Sequence, residues 1–135
     1  MIRQLDERTL VSGQIAPHEV AGLADHGVTV IVNNRPDGED SGQPKASDIE
    51  AAAEAAGIAY HYIPILRGIG PADVDEMSRA FERAGDGKVF AFCRSGSRSA
   101  LTCALAMHQR GTAREEIEER LRAAGFDSSP IAHLL

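Results

Sequence analysis

Three short apolar runs constrain this chain more than anything else in it: Val28–Val32, Ile58–Ile65 and Lys88–Phe92. Gly27 precedes the first, Gly57 the second, and the turn Gly85-Asp86-Gly87 the third. The first is β-branched at every position. Runs of this length, closed off by turn residues, read as buried strands. A further short strand is expected over Thr9–Gly13. Between the strands the pattern is helical. Ala16-Pro17 opens a helix running to about Asp25, with proline preset for a first turn. Ser47-Asp48-Ile49-Glu50 has the form of a capping box and leads into a helix that Gly57 ends. Gly70-Pro71 opens a third helix, with Asp73, Asp75 and Glu76 where the helix dipole favours anions. Ser99–Gln109 is a fourth, closed by Gly111. Thr112-Ala113-Arg114-Glu115 is a second capping box, whose helix ends at Gly125, and a last helical turn is expected from Ser128. This alternation predicts an α/β fold: a mostly parallel sheet with helices on both faces. A length of 135 residues fits one domain, 1–135. The one long connection, residues 34–45 (NRPDGEDSGQPK), is expected to be the most mobile segment.

Composition excludes several function classes. A net charge of −6 disfavours nucleic acid as a partner. The apolar stretches fall far short of the roughly 20 residues that cross a membrane, and the N-terminus has no apolar leader. Cys93 and Cys103, with no sign of export, point to free thiols in a reducing cytoplasm. His18, His26, His61, His108 and His133 are scattered, so neither a metal nor another cofactor is expected. Cys103 lies among Leu101, Ala104 and Leu105 and reads as a small apolar helix residue.

The chemistry is concentrated in "VFAFCRSGSRSAL", residues 89–101. An apolar strand stops at Cys93, and Arg94, Ser95, Gly96, Ser97, Arg98 and Ser99 lead into a helix. In such sheets ligands bind beyond the carboxyl ends of the strands. Successive backbone N–H groups at a helix start form an anion nest, to which the helix dipole adds. A cysteine at a strand end is commonly a core residue. A core cysteine has no use for six polar or glycine residues after it, so Cys93 is expected to act as a nucleophilic thiolate. Arg94, Arg98 and the N–H groups of Ser95–Ser99 would hold an anionic substrate. Arg35 and Arg67 follow two other strand ends and are expected to line the same site.

The stretches "VSGQIAPHEV" (11–20), "VIVNNRPDGED" (30–40), "IEAAAEAAGIAYHYIPI" (49–65) and "FAFCRSGSRSA" (90–100) resemble a bacterial family. It is the small phosphatase-like domain found alone or fused to a β-lactamase-like hydrolase. The resemblance implies the fold of protein tyrosine and dual-specificity phosphatases, and a β-lactamase-like hydrolase as partner. Members are described both as candidate phosphatases and as candidate sulfurtransferases. Cysteine phosphatases of that fold resemble His-Cys, five residues, then Arg. Here Phe92 stands for the histidine, four residues separate Cys93 from Arg98, and Ser99 stands where the arginine would fall. Cys-Arg-Ser-Gly-x-Arg-Ser looks instead like the loop of single-domain rhodaneses, whose cysteine carries sulfane sulfur as a persulfide. The leaving-group acid that a phosphatase needs is also missing from the loop after the preceding strand, Leu66-Arg67-Gly68-Ile69-Gly70.

Three functions follow as expectations. The first is a rhodanese-like sulfurtransferase acting on a small anion such as thiosulfate or a persulfide. The alternative is a cysteine-dependent phosphatase working on phosphoesters through a phosphocysteine. The third is a non-catalytic anion-binding regulator.

Overall fold

The computed structural model describes all 135 residues. Its sheet has five strands: β1 (Ile2–Asp6), β2 (Thr9–Ser12), β3 (Val28–Asn33), β4 (Ala59–Tyr62) and β5 (Lys88–Phe92). Their order is β1-β2-β5-β3-β4. All neighbours are parallel except β1, which pairs antiparallel with β2. The sheet is therefore mostly parallel, as expected, with one antiparallel edge strand that the sequence pattern concealed. β1 buries only Leu5 and exposes Ile2, Arg3 and Gln4, so it has no apolar run to read. Charged, short edge strands also deter pairing with other chains.

Alternation along the strands separates two cores. Val30, Val32, Val89 and Ala91 face one side, together with apolar residues of α3 (Pro71–Ala84), α4 (Ser97–Gln109) and α5 (Arg114–Ala123). Ile31, Phe90 and Phe92 face the other, against α1 (Val20–Asp25) and α2 (Ala46–Ala55). A 3-10 turn, Pro17–Glu19, precedes α1, and another, Ser129–Leu134, forms the tail.

Three expectations need correction. Neither proposed capping box forms. Helix α2 starts at Ala46, before Ser47, and the Asp37 carboxylate accepts the Ala46 N–H at 2.8 Å, a cap supplied by the long loop. Helix α5 starts after Ala113 without a side-chain cap. The start of α4 is two residues earlier than Ser99, at Ser97, because Gly96 takes a left-handed φ of 99° and sets the turn. The loop 34–45 is not loose. Tyr62 accepts the Asp37 N–H through its hydroxyl at 3.0 Å, and Gln43 donates to the Pro36 carbonyl at 2.9 Å.

The site is positioned by where β5 sits. It is the central strand, flanked by β2 and β3, so Cys93 emerges from the middle of the sheet. Asn34 then ties three elements together. Its N–H donates to the Phe92 carbonyl at 2.8 Å. Its amide nitrogen donates to the Ile63 carbonyl at 2.9 Å, and its amide oxygen accepts the Ser99 hydroxyl at 2.8 Å. Asn34 and Ser99 are wholly buried. Replacing Asn34→Leu leaves a hydroxyl and a carbonyl unpaired, which we expect to cost on the order of 2–4 kcal/mol. Urea unfolding of the variant checks this, and an unchanged midpoint would contradict it.

Candidate active site

The loop after Cys93 is built as a cradle of donors. Cys93 is fully buried, and the Gly96 N–H points at its Sγ at 3.1 Å. The N–H groups of Arg94, Ser95, Ser97, Arg98 and Ser99 find no acceptor within the protein. Five N–H groups without an acceptor thus lie between a buried sulfur and the start of a thirteen-residue helix, the kind of donor array that suits an anion. Gly13 allows the preceding loop to approach: a Cβ there would lie 2.9 Å from the Arg94 carbonyl oxygen. No three His, Cys, Asp or Glu side chains cluster as metal ligands.

A charged network closes the site on the other side. Arg98 grips Glu39 with both terminal nitrogens, at 2.7 and 2.9 Å, and also donates to the Ile65 carbonyl at 2.8 Å. Arg35 donates to Glu39 at 2.9 Å, to Asp40 at 2.7 Å and to Gln14 at 3.0 Å. Arg94 lies 3.4 Å from the same Asp40 carboxylate. The hydrogen bond from Arg98 dominates in holding the Glu39 carboxyl down at about 2, against the opposing effect of burial. Arg98 itself is pushed up from its usual value, first by Glu39 and also by Cys93.

Gly96 and Arg98 lie beside Cys93, and the N–H groups of Ser95, Ser97, Arg98 and Ser99 in the same loop are without an acceptor. The Ser99 hydroxyl is engaged by Asn34, which leaves its N–H as its free donor. The Ser95 and Ser97 side chains are exposed. Arg35 is near but buried, with every guanidinium nitrogen engaged inside the protein, so it reaches the site only through Glu39 and Asp40. Arg67 is exposed and makes no ion pair, and it borders a cavity that Arg98 also lines. Glu39 was missed by sequence reading. Its partner is 59 residues away, and the signal was only an acidic pair, Glu39-Asp40, at the same sheet edge as the arginines.

The other acids are engaged too. Asp73 accepts the Gly70 N–H at 2.8 Å as a helix-start acid, and Asp75 accepts from Gln109 at 2.7 Å. Cys103 is buried beside Met77, and burial pushes its thiol well up, in keeping with the apolar role expected of it.

A five-stranded, mostly parallel sheet with a cysteine loop at the tip of its central strand defines a protein tyrosine/dual-specificity phosphatase-like fold. The chain belongs to the family described as beta-lactamase hydrolase-like protein, phosphatase-like domain, whose model matches residues 1–111. A beta-lactamase hydrolase-like protein of Xylella fastidiosa is 37% identical over 128 residues, covering 93% of this chain and 30% of the relative. The chain thus spans under a third of that relative's length. A solved structure of a candidate phosphatase from Neisseria meningitidis has a TM-score of 0.80 at 30% identity, covering 98% of this chain and 94% of that one. The kinase associated phosphatase shares the fold, with a TM-score of 0.66 at 20% identity over 84% of this chain and 66% of that one. No helix is long and apolar enough to cross a membrane.

The Glu39–Arg98 pair makes a pH prediction. A carboxyl held near 2 when folded, against an ordinary 4.5, stabilises the fold fully above about pH 4.5. That contribution is lost as pH falls toward 2. Wild type should therefore exceed Glu39→Gln in stability at neutral pH, with the gap closing in acid. Denaturant titrations across that range check it, and a gap independent of pH would contradict the pairing.

Proposed function

We propose that this phosphatase-like domain is a sulfurtransferase whose Cys93 carries sulfane sulfur. One observation carries the reading: the loop that follows Cys93 holds N–H groups without an acceptor, while Glu39, Asp40, Asp37, Asp73 and Asp75 are each already held by a guanidinium, a backbone N–H or a side-chain amide. The nest suits an anion. The ionised Glu39 has no proton to give. Persulfide formation needs none. The Cys93 thiolate attacks the outer sulfur of thiosulfate, the sulfur–sulfur bond of the donor breaks, and sulfite leaves with the electron pair. A thiol or another nucleophile then takes the sulfur from Cys93. The N–H groups of Ser95–Ser99 would hold the donor's oxyanion together with the Nε of Arg98, the guanidinium nitrogen that Glu39 does not take, and Arg94 would add charge at the rim. The short Cys93-to-Arg98 spacing is in keeping with this chemistry.

A second reading has its own support. The family and the shared fold favour a phosphatase, and the kinase associated phosphatase has a catalytic-site cysteine. In that reaction Cys93 would take the phosphoryl group, and the leaving alkoxide would need a proton. The substrate would then be a phosphoester with a leaving group acidic enough to depart unaided. In either case a hydrolase-like domain of the kind named in the longer relatives is the proposed partner.

Two experiments test the proposal. Reduced protein incubated with thiosulfate and freed of excess should gain the mass of one sulfur atom on wild type and none on Cys93→Ser. No gain on wild type would overturn the sulfurtransferase reading. Arg98→Ala should lower kcat/KM for an anionic donor by on the order of ten- to a hundredfold, mainly through KM. Unchanged constants would remove Arg98 from the site.

A further inference from the structure

Arg98 borders a second feature that an inorganic donor leaves without a purpose. A cavity of about 480 Å³ lies beside the first turn of α4. Its apolar lining is Ile65, Leu66, Ile69, Leu101, Ile131 and Leu134, and its cations are Arg98 and Arg67. Leu66 is 70% exposed and Leu134 49%, so two large apolar side chains stand in water at this one place. The cavity shares Arg98 with the cradle at Cys93, and Arg67 leaves it with a positive charge that no carboxylate answers. Thiosulfate is small, hydrated and wholly polar, and has no part to put there.

We propose that this cavity receives the apolar body of an organic sulfur donor, an alkyl or aryl anion whose sulfane sulfur meets Cys93. This deepens the sulfurtransferase reading and rests on it. With a thiosulfonate the step balances without a further reactant. The Cys93 thiolate bonds to the terminal sulfur, the donor's sulfur–sulfur bond breaks, and the organic sulfinate departs with the electron pair. The anionic head is held by Arg98 and the N–H groups, and the chain or ring lies against Leu66, Leu101 and Leu134.

The test uses the full chain and a series of methane-, butane- and hexanethiosulfonate, with thiosulfate alongside. Second-order rates of persulfide loading are normalised to those of a free thiol, which removes intrinsic reactivity. Wild-type rates should climb with chain length, by up to about fourfold per methylene that becomes buried. In Leu66→Ser and Leu134→Ser the hexyl-to-methyl ratio should fall severalfold. Both positions are substantially exposed, so the variants should fold, and circular dichroism confirms it. A flat wild-type series, or an unchanged ratio in both variants, overturns the cavity assignment and leaves thiosulfate loading intact. Loading from no donor at all overturns both the cavity assignment and the sulfurtransferase reading.

Discussion

The end of β5 is pinned from both neighbouring strands, and the candidate site hangs from it. The Cys93 N–H donates to the Ser12 carbonyl at 3.3 Å, and the Phe92 carbonyl accepts the Asn34 N–H at 2.8 Å. The chain therefore leaves the sheet at a fixed point. Gly96 then turns it, through a left-handed φ, into α4. A helix start has no internal acceptors for its first N–H groups. Placed immediately after a buried cysteine, those orphan donors are what the proposed function uses to receive an anion.

Opposing charge then fixes the arginines. Glu39 receives hydrogen bonds from Arg35 and Arg98, and Asp40 bridges Arg35 and Arg94. The arrangement ties the long loop to the cysteine loop and orients Arg98 through a two-point contact. A carboxylate clamped by two guanidinium groups has no proton to give, and for that reason the proposed reaction is one whose leaving group departs as a stable anion.

The sequence disclosed the parts that obey local rules. β5 spans Lys88–Phe92 as its apolar run indicates, and α3 begins at Pro71 as the Gly70-Pro71 pair indicates. The helix after Cys93 was evident from its polar start and apolar continuation. Contacts across the fold were not legible. β1 lacks a period because a solvent-facing edge strand needs none. Ser47 does not cap α2 because Asp37, nine residues before the Ala46 N–H, does so instead. Arg35 looked like an open anion binder, and only the folded loop shows that its donors are engaged. Glu39 carried no local signal beyond its place in an acidic pair with Asp40, since its meaning lies in the partner it meets.

The central claim is that this cradle favours sulfur over phosphorus. The most direct measurement compares two turnovers on one enzyme preparation at one pH: thiocyanate formed from thiosulfate and cyanide, and inorganic phosphate released from an aryl phosphate. The account predicts sustained thiocyanate formation that far exceeds phosphate release. Phosphate release with a burst through a phosphocysteine, and no thiocyanate, would contradict it and make the domain a phosphatase in activity as well as in fold.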